Sequence, residues 1–168
     1  MRLDDSDTRV FPAAAEAGEW AVPGSFAFTF TDLDPGALKG RDREAFARGF
    51  LGLGSFGWST VAVISEISEA ELRQVLERLA WHFVERYGAP GLEAALEEAR
   101  REVDFVQELC GEPVNTLLTL ERRLGPEGIS EDFRVHRPRA QWEGARAIQL
   151  VPEETGVSES GPAGEVKS

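Results

Sequence analysis

Apolar residues recur at helical spacing in two long stretches near the middle of the chain. Leu72, Val75, Leu76, Leu79, Phe83 and Tyr87 fall on one stripe, as expected of a helix that turns one face to a core. Its start is written in Ser68, Glu69, Ala70 and Glu71, where the serine hydroxyl can accept from a backbone N–H three residues on and the glutamate can reach back. Gly88 supplies the residue that most easily takes the left-handed closing conformation. In the second stretch Leu92, Leu96, Ala99, Val103, Val106 and Cys110 step by alternate fours and threes and end at Gly111. The joint between them, Ala89 to Gly91, is short enough to predict two helices packed back to back as a hairpin.

Elsewhere the period is closer to two. Arg9 to Phe11 and Trp20 to Val22 read as strand and turn. Phe26, Phe28 and Phe30 alternate with Ala27, Thr29 and Thr31, which predicts a strand with three rings on one face. After it, Asp34, Pro35 and Gly36 form a helix-start signal with proline in the first turn, predicting a short helix through Glu44, Ala45, Phe46 and Ala47. Val61 and Val63 alternate with Ala62 and Ile64 in a predicted buried strand over 59–67. Residues 115–122 resemble another strand, 125–128 a turn, and 129–135 stand between a last strand and a helical turn. The pattern predicts one α+β domain over 1–139, a mostly antiparallel sheet packed on one face by the helical hairpin. Residues 140–151 read as a docking or linker segment. Residues 152–168 are Pro, Glu, Ser, Gly and Thr with almost nothing to bury, and are expected to form a disordered acidic tail.

Composition narrows the function classes. The chain has 168 residues and 30 acidic against 18 basic side chains, a net charge of −12. That charge repels phosphate backbones and anionic headgroups, so neither nucleic acid nor a membrane surface is an expected partner. The single cysteine, Cys110, cannot close an intramolecular disulfide, the N-terminal residues lack the apolar stretch of a signal peptide, and no apolar run approaches the ~20 residues of a membrane helix. A cytoplasmic protein is expected.

Gly52 to Gly57 matches G-x-G-x-x-G, yet it follows a helical segment and enters a strand, the reverse of the dinucleotide-binding order. A structural turn is the better reading. His82, His136 and Cys110 have no metal-ligand spacing, and His82 with Glu85 lacks the matching pair on the second helix that a carboxylate-bridged site needs. No cofactor or metal is expected. No nucleophile elbow is present, and Cys110 sits on a core stripe with no base near it in sequence. No catalytic residues are assigned.

Two groups remain. Trp81 points away from the apolar stripe of its helix, among Gln74, Glu77 and Glu85; either residues such as Trp142, Ile148, Leu150 and Val151 cover it or it anchors a partner. Phe56 and Trp58 join it as a candidate partner surface. Arg134, His136, Arg137 and Arg139, with Arg122 and Arg123 upstream, form a candidate anion site, although arginines in so acidic a chain more often pair with its own carboxylates.

Trp20 to Phe28, Gly49 to Gly52 with Ser55 to Thr60, and Phe133 to Arg139 together resemble an uncharacterised family of small proteobacterial proteins of unknown function, over residues 2–139. The resemblance implies an accessory role in the company of biotin/lipoate-ligase-like proteins and redox enzymes, and transfers no catalytic residue. The expected function is a non-catalytic accessory, binding or assembly protein of the bacterial cytosol with a protein partner. The alternative is a small enzyme or carrier that binds an anionic small molecule between the glycine-rich turn and Arg134 to Arg139.

Overall fold

The predicted helical hairpin is present, and local signals account for it. In the computed structural model, which describes residues 2–3, 14–29 and 34–137, helix α3 spans Glu69–Tyr87 and α4 spans Leu92–Leu109. The Ser68 hydroxyl accepts from the Glu71 N–H while the Glu71 carboxylate accepts from the Ser68 N–H, so the capping box closes. Gly88 ends α3 at φ 68°, a left-handed conformation that glycine takes without a Cβ clash. Val75, Leu79, Ala80 and Phe83 of α3 and Ala95, Ala99, Val103 and Val106 of α4 are buried.

Two antiparallel sheets complete the α+β fold. One contains β1 (Arg2–Leu3), β5 (Ala62–Val63), β6 (Leu117–Gly125) and β7 (Gly128–His136), in that order. The other contains β2 (Ala21–Val22), β3 (Phe50–Gly52) and β4 (Trp58–Ser59). Residues 129–135, left open between strand and helix, are strand: Ile129 faces Leu124 and Val135 faces Leu118 in a continuous ladder with β6. The predicted strand over 59–67 is divided between the two sheets, its first part in β4 and its middle in β5. Phe105 of α4 lies 5.8 Å from Phe133 of β7, and Phe50 of β3 lies 6.5 Å from the same ring, so helix and second sheet meet over β7.

The first third is more helical than the period-two pattern predicted. Phe26 and Phe28 belong to a one-turn helix, α1 (Phe26–Thr29), instead of a strand. Residues two apart in a helix are separated by roughly 200° around its axis, so the rings diverge. Phe26 packs edge-on against Phe83 at 4.8 Å, and Phe28 against Phe46 at 5.1 Å. Alternating aromatics fit both geometries, and burial on two sides decides for the helix. Asp34 does cap, accepting from the Gly36 N–H, but it caps only a 3-10 turn at Pro35–Ala37; α2 (Gly40–Arg48) begins after it. The described residues up to Arg137 form one unit. Phe30, Arg139, the segment 140–151 and the tail 152–168 lie outside the described residues.

The alternation of β6 puts Leu118, Leu120 and Arg122 in one inward row, and Arg122 is the largest fully buried side chain. Its guanidinium donates from Nη1 to the Phe46 carbonyl (2.6 Å), from Nη2 to those of Pro23 (2.6 Å) and Gly49 (3.2 Å), and from Nε to Glu131 Oε1 (2.8 Å). Carbonyls at the C-terminal end of a helix lack intrahelical partners, so Arg122 caps α2 from a strand and brings a positive charge to the negative end of its dipole. Glu102 of α4 shares this region. Burial first, then the carboxylates of Glu131 and Glu98, push it up to about 7, with Arg122 opposing.

Removing Arg122 leaves Glu131 and three carbonyls without their donor. Arg122→Met is expected to lower the unfolding free energy by about 3–5 kcal/mol, read from urea midpoints. Glu102 acts in the opposite sense. Because its folded value is raised from 4.5 to about 7, folding takes up a proton in that window, and stability falls as pH rises through it. Glu102→Gln is therefore expected to stabilise by on the order of 1–3 kcal/mol at pH ~8 and to leave stability nearly unchanged at pH ~4.5, measured by urea unfolding at both values.

Candidate functional site

The glycine-rich segment forms the turn between β3 and β4, and its backbone N–H groups already hold an anion from the same chain. Glu19, just before β2, accepts through Oε2 from the N–H groups of Gly54 (2.6 Å) and Ser55 (2.8 Å), and through Oε1 from the Ser55 hydroxyl. Successive N–H groups aimed at one point make an anion-binding concavity. A Cβ at position 54 would stand 2.9 Å from Glu19 Oε2, so any other residue there would have to displace the carboxylate from this position. Burial raises the Glu19 carboxyl, but the Ser55 side-chain and backbone bonds, with those from Glu16 and Gly54, outweigh it and hold the group below the usual carboxylate range. The turn thus has a structural occupant where a phosphate would sit.

Arg78 of α3 reaches across to the same turn, donating to the carbonyls of Leu53 and Gly54. It separates two open hollows. On one side a cavity of about 380 Å³ is lined by Glu16, Glu19, Trp20, Ser55 and Gln74 among others. On the other, a groove of about 560 Å³ is lined by Phe56, Gln74, Glu77, Arg78, Trp81, His82 and Glu85. This groove brings together two of the three aromatic residues expected to form a partner surface.

Trp81 is 52% exposed although it stands within a 19-residue helix. Glu77 and Glu85 lie one helical turn before and after it, on the same line. Beneath is His82, only 8% exposed, stacked on Phe56 at 3.7 Å with an interplanar angle of 6° and edge-on to Tyr87 at 5.3 Å. Neither ring nitrogen has a hydrogen-bond partner among the described residues. Leaving a buried polar group unsatisfied costs about 1–3 kcal/mol. Burial, then Arg86 and Arg78, bring the His82 pKa down to about 4, so the ring is neutral at pH ~7 and offers one N–H and one lone pair. Phe56 has φ 55°, a left-handed conformation that is strained for an aromatic residue. A strained residue and an orphaned imidazole therefore meet at the floor of one groove.

Trp58, the third of the expected aromatic set, is elsewhere. It is half-buried, 5.1 Å from Phe28, with Gly24 and Gly49 against its ring. Its role in this structure is packing.

The basic segment is spread along the outer face of β7 and engaged with the chain's own groups. Arg134 pairs with Glu121 at 3.2 Å, Arg137 makes two-oxygen contact with Glu112, and His136 Nε2 lies 2.9 Å from the Thr119 hydroxyl. Arg123 first and Arg134 second hold the Glu121 carboxyl below its usual value. Neither hollow beside the glycine-rich turn has Arg134, His136 or Arg137 in its wall. Cys110 is half-buried, and burial pushes its thiol up. Among the described residues no group of three His, Cys, Asp or Glu side chains could hold a metal ion, and no helix is long and apolar enough to cross a membrane. The sequence had marked Trp81 and Phe56; it gave no sign that His82 would lie orphaned between them, because that depends on the turn folding onto α3.

The chain matches the family of unknown function DUF6505 over residues 1–152 and belongs to it. No curated protein and no solved structure matches the chain.

The Glu19 contact is testable by itself. Glu19→Ala is expected to cost about 1 kcal/mol in urea unfolding at pH ~7, since it exchanges three charge-assisted bonds at an exposed turn for bonds to water. The carboxylate's folded value lies below 4.5, so its contribution is present above that value and is lost as pH falls through the folded value. Wild type and variant should converge in stability under acid.

Proposed function

We propose that the protein is a non-catalytic binding module of the bacterial cytosol whose recognition surface is the outer face of α3 with Phe56. The observation that carries this reading is Trp81, an exposed tryptophan held on a regular helix beside a groove of about 560 Å³. Tryptophan is enriched among the residues that dominate protein interfaces, where a large rigid ring buries much area at little entropic cost. Two further features favour binding a partner over carrying an anionic small molecule. The donors of the glycine-rich turn are taken by Glu19, and Arg134 and Arg137 are taken by Glu121 and Glu112. The −12 charge favours a partner that brings positive charge.

The test is affinity purification of the tagged full chain at native level from its own host, with Trp81→Ala in parallel. A specific partner recovered with the wild type and lost with the variant is expected. The variant's unfolding free energy should stay within about 0.5 kcal/mol of wild type, as for other exposed side chains. Identical partners in both samples would reject the α3 face as the recognition surface.

A further inference from the structure

We propose that the groove on α3 receives an arginine side chain from the partner protein, its guanidinium lying on Trp81 between Glu77 and Glu85 and donating to His82. This rests on the binding-module reading and adds what the partner must present.

Each part of the groove points to a cationic donor. Glu77, Trp81 and Glu85 follow one another at intervals of four residues, so the backbone of each glutamate stands about 6 Å along the helix from that of the tryptophan, with side chains on one line. An aromatic face attracts cations through its negative quadrupole, tryptophan most strongly. Among the described residues no cation lies over Trp81, whereas Phe56 already has the Arg78 guanidinium 5.4 Å from its centroid. Among the described residues a guanidinium thus lies over one of the two aromatic residues of the groove and none lies over the other.

His82 gives the independent sign of a missing ligand. It is a polar side chain more than nine-tenths buried, lines the groove, and has no hydrogen-bond partner among the described residues. A neutral imidazole presents a lone pair that an N–H donor can satisfy. The nearest positive charges do not fill this place. Arg78 is turned away to the Leu53 and Gly54 carbonyls, and Arg86, exposed on the same helix, reaches His82 only through its field.

Arginine fits better than lysine. A planar guanidinium can stack on the indole while its edge offers several N–H groups at once, here to two carboxylates and an imidazole nitrogen. An ammonium can satisfy the charge but not the stacking.

The experiment is a two-dimensional NMR titration of the full chain at low ionic strength, with N-acetyl-arginine amide as the probe. Saturable shifts are expected at the Trp81 indole N–H and the His82 ring. N-acetyl-citrulline amide keeps the shape and loses the charge, and should bind roughly fivefold more weakly. The Glu77→Gln, Glu85→Gln double variant should weaken the arginine probe to a similar degree, and Trp81→Ala should abolish saturation. Trp81→Phe, which keeps an aromatic face, should retain part of the binding and separates loss of the ring from disturbance of the helix. Equal response to the two probes, shifts that map away from Trp81 and His82, or no saturable shift would each overturn the proposal. The two readings fail separately: a Trp81-dependent partner captured equally well by the Glu77→Gln, Glu85→Gln protein leaves the binding module standing and removes the arginine.

Discussion

Most of the architecture converges on one guanidinium. Arg122 joins the end of α2, the turn before α1 and the β6–β7 hairpin, segments that are 73 to 99 residues away in sequence from the arginine or, for Glu131, 9 away. A buried charge is costly unless paired and fully hydrogen-bonded, and here both conditions are met by one carboxylate and several backbone carbonyls. The carbonyls are those a short helix and a tight turn leave without internal partners. The arginine thereby fixes where α2 and α1 lie against the sheet, and so where Phe28, Phe46 and Trp58 meet.

Legibility in the sequence followed how local the determining contact is. Helices α3 and α4 could be read because their stripes, the Ser68–Glu71 box and Gly88 are all defined within a few residues. Trp81 could be read from the helical wheel alone. The period-two run at Phe26 misled because three alternating rings suit a strand or a turn of helix, and the distinction lies in Phe83 and Phe46, far along the chain. Arg122 was grouped with the surface arginines near the end of the domain. Its row-mates Leu118 and Leu120 carried the contrary signal, since strand alternation places all three on the inward face. The orphaned ring of His82 and the left-handed Phe56 had no sequence signature, because both arise where the β3–β4 turn lands on α3.

Helix α3 has two contrasting faces. Its inner face contributes Val75, Leu79, Ala80 and Phe83 to the core, which makes the helix a stiff platform. Its outer face departs from ordinary surface composition at one point, and the departure coincides with an imidazole that has no partner among the described residues and with a strained residue below. Unfavourable local features survive when the surroundings over-determine them, and they gather where something is bound. The groove has this character; Arg134, His136 and Arg137, each matched to an acid or a hydroxyl, do not.

The carboxylate in the glycine-rich turn changes how that motif behaves toward free anions. Glu19 is a tethered ligand, carried to the turn by the pairing of β2 with β3 although it lies 35 residues away in sequence, so any phosphate or carboxylate from solution competes with a group already held there. A pattern of glycines that elsewhere serves as a receptor is here a closed clasp, fastening the residues before β2 to the turn that forms one wall of the groove.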